Sequence, residues 1–207
     1  MAGLLEGFTP YREEDAERYD RRRWWPGLTL GDLLDKAADI YPDKEAFCDG
    51  RTRLTFAQAR EKTDRLAIAL MHLGIAPQDR VLVQLPNWNE FVLAYFAVQK
   101  IGGIVVMSID RHRQYELGHL ADLTGATAWI VPEQYKKTDY LPIVRDVLQD
   151  RPQLRHVLLA RSGGYGTFLG MEKLVEETRL EEAGLRGLAE RRPDPMAVAH
   201  MGPTGGT

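Results

Sequence analysis

The last nine residues of the sequence, AHMGPTGGT, have a composition that suits contact between a ligand and the protein backbone. Glycines let the chain turn sharply and leave its N–H groups open to close approach, and threonine hydroxyls add hydrogen-bond donors. Such loops hold phosphate groups because converging N–H groups stabilise negative charge. The Walker sequence G-x-x-x-x-G-K-[ST] is not present, so spacing alone leaves a phosphate loop and a loose tail equally open.

A second glycine-rich stretch, RSGGYGT at positions 161–167, also follows a predicted strand. It does not have the G-x-G-x-x-G spacing that a dinucleotide-binding turn requires. We therefore favour a plain loop here over an anion site. The same absence argues against an NAD-binding domain.

Histidine, cysteine and serine residues give weaker signals. None of the five histidines has another ligand residue at zinc-binding spacing, so no metal site is predicted. His112 lies in the polar stretch DRHRQYE, where an exposed loop residue is favoured over a ligand contact. His200 lies in the last predicted strand, where packing against the sheet is favoured over lining a substrate pocket. Cys48 is expected to be a buried structural thiol rather than a nucleophile.

Composition restricts the class of protein. The 207 residues carry a net charge of −3, with 44% hydrophobic and 28% charged residues, which is typical of a globular protein and gives no attraction to nucleic acid. A single cysteine excludes an intrachain disulfide and fits a reducing compartment. The N-terminus resembles no signal peptide, and no apolar run approaches the ~20 residues of a membrane span. We expect a cytoplasmic protein without a membrane span.

The elements expected to position the glycine-rich end form an α/β pattern. Unbroken apolar strands that alternate with helices predict a mostly parallel sheet covered by helices on both faces. Ligands of such sheets bind beyond the carboxyl ends of the strands, and the glycine-rich end directly follows the last strand. The predicted strands are 80–85, 104–109, 127–131, 155–160 and 196–201; the predicted helices are 89–103, 114–126, 140–150 and 171–192, the last broken near Gly184.

The sequence divides into two units: an N-terminal arm, residues 1–28, and the α/β unit, residues 29–207, which contains this pattern. Aromatic residues of the arm are expected to pin it to the body of the protein; they are Tyr11, Tyr19, Trp24 and Trp25. Thr29 and Thr55 have the residue type and position of helix N-caps, and Gln58 completes a capping box with Thr55. The segment DGRT, 49–52, predicts a turn between two short strands.

Linked motifs give the sequence a family resemblance. TGGT after a strand is similar to the first half of the phosphate-loop signature of the adenylate-forming superfamily, in which Thr-Gly-x-Pro-Lys follows. The stretch 54–117 contains further features of that superfamily in order: LTF, a helix ending in LG, a strand before PN, a helix ending in KIGG, and EL. The segments ERYDRRRWWPGLTLGDLL and SIDRHRQYEL resemble aryl acid–AMP ligases of the dihydroxybenzoate-activating type. The resemblance covers essentially the whole chain.

The resemblance implies the N-terminal part of the large domain of a ligase that activates a carboxylic acid. Such an enzyme uses ATP and Mg²⁺ to form an acyl- or aryl-adenylate, then transfers the acid to the thiol of CoA or of a carrier protein's phosphopantetheine. It implies that the acid is small and aromatic, and that Thr204, Gly205, Gly206 and Thr207 contact the ATP phosphates. His200 would line the acid pocket. Whether the protein forms a homodimer stays open.

The sequence also departs from the family pattern. The Thr-Gly-x-Pro-Lys half of the signature would begin at position 208, and the family's acid-binding, adenine-binding, metal-binding and catalytic lysine residues come later still. We therefore expect these 207 residues to be about the first two-fifths of such an enzyme, cut within the phosphate loop, without a catalytic residue and inactive alone. The alternative is a non-catalytic α/β scaffold or interaction module, which the DNA beyond codon 207 would distinguish.

Overall fold

The computed structural model describes residues 7–204. The helices are α1 (Glu13–Arg21), α2 (Leu30–Ile40), α3 (Phe56–His72), α4 (Asn89–Lys100), α5 (Gln114–Thr124), α6 (Leu141–Leu148), α7 (Met171–Glu177) and α8 (Glu182–Glu190). The strands are β1 (Glu45–Cys48), β2 (Arg53–Thr55), β3 (Arg80–Val83), β4 (Ile104–Met107), β5 (Ala128–Pro132), β6 (Gln134–Tyr135), β7 (Thr138–Asp139), β8 (His156–Ala160), β9 (Gly164–Tyr165), β10 (Phe168–Gly170) and β11 (His200–Met201).

A seven-stranded sheet in the order β11-β4-β3-β5-β8-β10-β9 forms the centre of the fold. All neighbours in it are parallel except β9, which runs antiparallel to β10. The prediction of a mostly parallel α/β sheet is therefore confirmed. Two antiparallel hairpins, β1–β2 and β6–β7, lie outside this sheet.

Each face of the sheet buries its own apolar core, because alternate side chains of a strand point to opposite faces. Val83 belongs to the core shared with α3, α4 and α7, whereas its neighbour Leu82 belongs to the core shared with α5 and α6. Trp129, fully buried, fills the centre of the second core. The two faces are referred to below as the α4 face and the α5 face.

Two helix starts agree with their sequence signals. The Thr29 side chain accepts a hydrogen bond from the Asp32 N–H, and the Thr55 side chain accepts one from the Gln58 N–H. In both cases the side chain of the third helical residue accepts a hydrogen bond from the backbone N–H of the cap. These capping boxes satisfy N–H groups that the first turn of a helix leaves without partners.

The end of the chain differs from the prediction in two places. The helical region 171–192 breaks at 178–181 rather than at Gly184. At this break the Arg65 guanidinium donates a hydrogen bond of 2.7 Å to the Thr178 carbonyl oxygen. The last strand is two residues long instead of six. Asp194 accepts hydrogen bonds from the N–H groups of Met196 and Ala197, which folds that segment into a turn.

The arm residues that the structure describes, 7–28, contain α1, none of whose residues is buried. The aromatic rings that were expected to pin the arm to the body pack on one another. Tyr19 lies 5.1 Å from Trp25 and 5.5 Å from Trp24 between ring centroids, and Tyr11 lies 5.0 Å from Trp25. In the described part of the chain, no helix is long and apolar enough to cross a membrane.

Candidate functional site

The residues that precede the glycine-rich end are fixed at one edge of the sheet. β11 pairs with β4 in parallel, with His200 opposite Val105 and Met201 opposite Val106. The Ala199 carbonyl oxygen accepts from the Val105 N–H at 3.2 Å and from Gln99 Nε2 at 2.5 Å. This short strand therefore delivers Gly202 to the carboxyl edge of the sheet, which is where ligands of parallel sheets bind.

His200 points to the α4 face. Its Nδ1 lies 3.0 Å from the Tyr95 hydroxyl of α4, and the imidazole remains exposed. Burial raises the pKa of Tyr95, so the hydroxyl keeps its proton and can donate to the imidazole. The contact of His200 with an acid remains a proposal.

A groove of about 580 Å³ opens on the α5 face beside the glycine-rich end. Its lining combines apolar side chains with polar ones, and the polar ones include two histidines of the β4–α5 region. The lining residues are Arg80, Val106, His112, Tyr115, Glu116, His119, Leu120, Leu123, Thr124, Met201, Gly202 and Pro203. The groove places the first residues after β11 next to open space large enough for a ligand group.

Two buried side chains hold the loop between β4 and α5, residues 108–113, by hydrogen bonds to its backbone. Gln84 is fully buried, and its Nε2 donates to the carbonyl oxygens of Ile109 and His112, each at 3.1 Å. The Tyr140 hydroxyl donates to the Asp110 carbonyl oxygen at 2.8 Å. The loop is thus fixed in position, which its polar sequence did not reveal. The one available signal was Gln84, a polar residue inside the apolar strand predicted over 80–85.

His112 is half-buried in this loop rather than freely exposed as the sequence favoured. Its Nδ1 lies 2.9 Å from the hydroxyl oxygen of Ser108. The imidazole lines the same groove as Gly202 and Pro203. The structure therefore brings His112 towards the glycine-rich end, while His200 faces the other side of the sheet.

Of the four residues to which ATP-phosphate contacts were assigned, the structure describes only Thr204, which is exposed and outside helices and strands. Gly205, Gly206 and Thr207 lie outside the described residues. Among residues 7–204, no group of three histidine, cysteine, aspartate or glutamate side chains is arranged to hold a metal ion.

The second glycine-rich stretch forms the β9–β10 hairpin. Gly164 and Gly166 have φ values of +96° and +59°, a backbone conformation that other residues rarely adopt. At Gly170, a Cβ atom would lie 2.7 Å from the Ser162 carbonyl oxygen. Turn geometry and close packing account for these glycines, and the stretch forms part of a hairpin where the sequence favoured a plain loop.

The expectation of a buried Cys48 is wrong. The residue ends β1 in the two-stranded β1–β2 sheet, and its side chain is exposed. Its thiol donates to the Asp49 carbonyl oxygen at 3.5 Å. A two-stranded hairpin buries too little surface to enclose every side chain of its strands.

A buried ionic cluster occupies the carboxyl end of β8, four strands or about 19 Å from β11. Arg161 pairs with Asp49 at 2.5 Å and with Glu90 at 3.0 Å, and its guanidinium lies 3.8 Å from the centroid of the Trp88 ring. The cluster joins the β1–β2 turn to the start of α4. Both carboxylates contact the one guanidinium and hold neighbouring elements together, so we assign the cluster to the structure and not to the ligand site.

The amino-acid sequence is similar to that of a known enzyme family and of characterised relatives. The family model described as AMP-binding enzyme matches residues 34–207. The salicyl-AMP ligase / salicyl-S-ArCP synthetase of Mycobacterium tuberculosis is 38% identical over 210 residues, with 99% of this chain and 36% of that protein covered. The 2,3-dihydroxybenzoate-AMP ligase of Bacillus subtilis is 37% identical over 180 residues, with 86% and 33% covered.

The fold is also similar to that of a solved structure. The apo structure of MbtA from Mycobacterium smegmatis superposes with a TM-score of 0.84 at 34% identity, covering 100% of this chain and 37% of that one. The chain spans about a third of the length of the curated relatives named above.

Proposed function

The chain belongs to the AMP-binding enzyme family, and from this premise we propose that it is the N-terminal part of an ATP-dependent ligase that activates an aromatic carboxylic acid. The observation that carries the proposal is the glycine-rich segment directly after β11, at the carboxyl edge of a parallel sheet and beside a groove on the α5 face. ATP phosphates are the ligand chemistry that this arrangement serves best.

The proposed reaction has two steps. A carboxylate oxygen attacks the α-phosphorus of ATP, pyrophosphate leaves, and an acyl-adenylate forms. A thiol then attacks the acyl carbon and AMP leaves. In the first step negative charge develops on phosphate oxygens, which backbone N–H groups and threonine hydroxyls of residues 202–207 would stabilise.

The aromatic nature of the acid is inferred from kinship. Relatives that are 37–38% identical carry names that refer to salicylate and 2,3-dihydroxybenzoate. The segments ERYDRRRWWPGLTLGDLL and SIDRHRQYEL resemble the same group. A flat aromatic acid also loses less rotamer entropy on binding than a flexible fatty acid chain.

The proposal also includes Mg²⁺ and a thiol acceptor, for which no binding residues are assigned. Residues 7–204 contain no carboxylate cluster that fits Mg²⁺, so we assign that ion no ligand and derive no step through it. CoA and a carrier protein's phosphopantetheine are both thiols that would serve in the second step.

Direct detection of the adenylate tests the proposal. The product of the complete reading frame that contains these residues is incubated with MgATP and salicylate, and the mixture is analysed by mass spectrometry. We expect salicyl-AMP in the wild-type reaction and at least a tenfold loss in Gly205→Val, whose side chain would obstruct the loop. Absence of any adenylate with a set of aromatic acids would overturn the proposal.

A further inference from the structure

His112 lies where the loop after β4 meets the residues that follow β11. Met201 pairs with Val106 across these strands, so Ser108 and Pro203 each stand two residues beyond that pair. His112 and Pro203 line the same groove. His112 is therefore beside the start of the loop to which the proposed function assigns the ATP phosphates.

The orientation of the His112 ring is fixed from one side. Ser108 is 8% exposed, and its backbone N–H donates to the Val83 carbonyl oxygen at 3.0 Å, which holds its hydroxyl 2.9 Å from His112 Nδ1. The His112 carbonyl oxygen is held by Gln84 as well. With Nδ1 engaged by Ser108, Nε2 is the ring nitrogen that can meet a ligand in the groove.

We propose that His112 binds a phosphate oxygen of ATP through Nε2–H, and that Ser108 positions the imidazole for this contact. The inference rests on the proposed function, because that function identifies ATP as the ligand. It adds a side chain to the site from an element that carries no glycine-rich motif.

The charges around His112 indicate a directed hydrogen bond rather than a general attraction of anions. Asp110 and Glu116 offset Arg111 and Arg113 in formal charge. Glu116 is also occupied, since its carboxylate accepts from the Arg113 N–H at 3.0 Å, and this hydrogen bond lowers the pKa of Glu116. Because these formal charges cancel, a phosphate oxygen would be bound here by a positioned imidazole N–H donor.

Two substitutions separate binding from a purely structural role. In H112N the side-chain amide takes the place of Nδ1, so the contact with Ser108 is kept and the Nε2 donor is lost. In H112Q the amide reaches the place of Nε2, so the donor is kept and the Ser108 contact is lost. A structural role predicts that H112N is the milder change, and phosphate binding predicts the reverse.

The experiment is salicylate-dependent ATP–pyrophosphate exchange by the product of the complete reading frame. We expect H112N to raise the KM for ATP about tenfold, the effect of one hydrogen bond to a charged group, with the KM for salicylate unchanged. H112Q should stay within about threefold of the wild type. H72N, at the end of α3, is the matched control and should leave both KM values unchanged.

The other outcomes are equally decisive. An unchanged KM for ATP in H112N, or a larger loss in H112Q, overturns the inference while the proposed function stands. So does an H112N effect confined to the KM for CoA in the thioester-forming step, because it assigns the histidine to the acceptor. If the wild type forms no adenylate by mass spectrometry and exchanges no pyrophosphate, the proposed function fails and this inference fails with it.

Discussion

Lys100 is a charged residue whose environment decides its effect on stability. Its side chain is 8% exposed, and its ammonium group contacts Asp64 at 2.5 Å, with Asp35 also paired to it. These contacts connect α4 to α2 and α3. Desolvation raises the pKa of Asp64 even in the presence of the lysine, so the carboxylate depends on Lys100 for its charge.

We expect Lys100→Met to lower the free energy of unfolding by about 2–4 kcal/mol at pH 7, since it leaves Asp64 buried without its cation. A raised folded-state pKa favours folding at low pH and opposes it as pH rises through that pKa. The loss should therefore be smaller at pH 4.5 than at pH 7 in urea unfolding. Lys36→Met, at an exposed position of α2, is the control; an equal loss at both pH values would contradict the account.

Asp49 illustrates the opposite direction of shift. Burial alone would raise its pKa, but backbone N–H groups of Asn89, Thr52 and Arg51, and the charge of Arg161, lower the pKa to about 2. Its side chain is 6% exposed, so these interactions are little screened. The carboxylate therefore binds the start of α4 and the β1–β2 turn most strongly when it is ionised.

The pH dependence of Asp49 follows from this direction. A folded-state pKa below the unfolded value near 3.9 gives stability that is present above pH 4 and is lost as pH falls towards 2, by about 2–3 kcal/mol. Asp49→Asn should remove this part of the acid dependence. Comparison of wild type and variant by urea unfolding between pH 2 and 6 checks it, and identical slopes would contradict it.

Among the elements, α8 shows how a glycine sets the distance between two helices. A Cβ at Gly184 would lie 2.8 Å from Ile68 Cδ1 of α3, so the two helices approach closely here. Gly184 was predicted to break the helix, but it lies inside α8. Its role is packing rather than termination.

Gly184→Val is expected to lower the free energy of unfolding by about 1–3 kcal/mol, because the added methyl groups overlap Ile68. Ala183→Val, at the neighbouring exposed position, carries only the helix-propensity cost of about 0.5 kcal/mol. Thermal unfolding of the two variants measures the difference. Equal melting temperatures would show that α8 moves away from α3 without cost.

The elements also show what the sequence could and could not predict. Thr29 and Thr55 were readable as caps because a cap is a local contact, three residues long. The β6–β7 and β9–β10 hairpins escaped prediction because strands of two or three residues carry no periodic pattern. The Gln84–His112 and Tyr95–His200 contacts span 28 and 105 positions of the chain, so they depend on the register of the sheet.

At the scale of the whole molecule, β11 brings the glycine-rich end to the carboxyl edge of the sheet. The chain spans about a third of the length of the curated relatives named above, so most of what corresponds to a whole enzyme of the family is not in it. We therefore expect residues 1–207, purified alone, to show no acid-dependent ATP–pyrophosphate exchange. Exchange above that of a heat-inactivated sample would contradict this expectation.

The preference among acids tests the central claim most directly. The product of the complete reading frame is assayed by ATP–pyrophosphate exchange with salicylate, 2,3-dihydroxybenzoate, benzoate, hexanoate and palmitate. The account predicts the highest kcat/KM for an aromatic acid, with related aromatic acids also accepted because small changes in an apolar pocket discriminate by only ~1–3 kcal/mol. The highest kcat/KM for hexanoate or palmitate would contradict the aromatic assignment, and no exchange with any acid would contradict the proposed ligase itself.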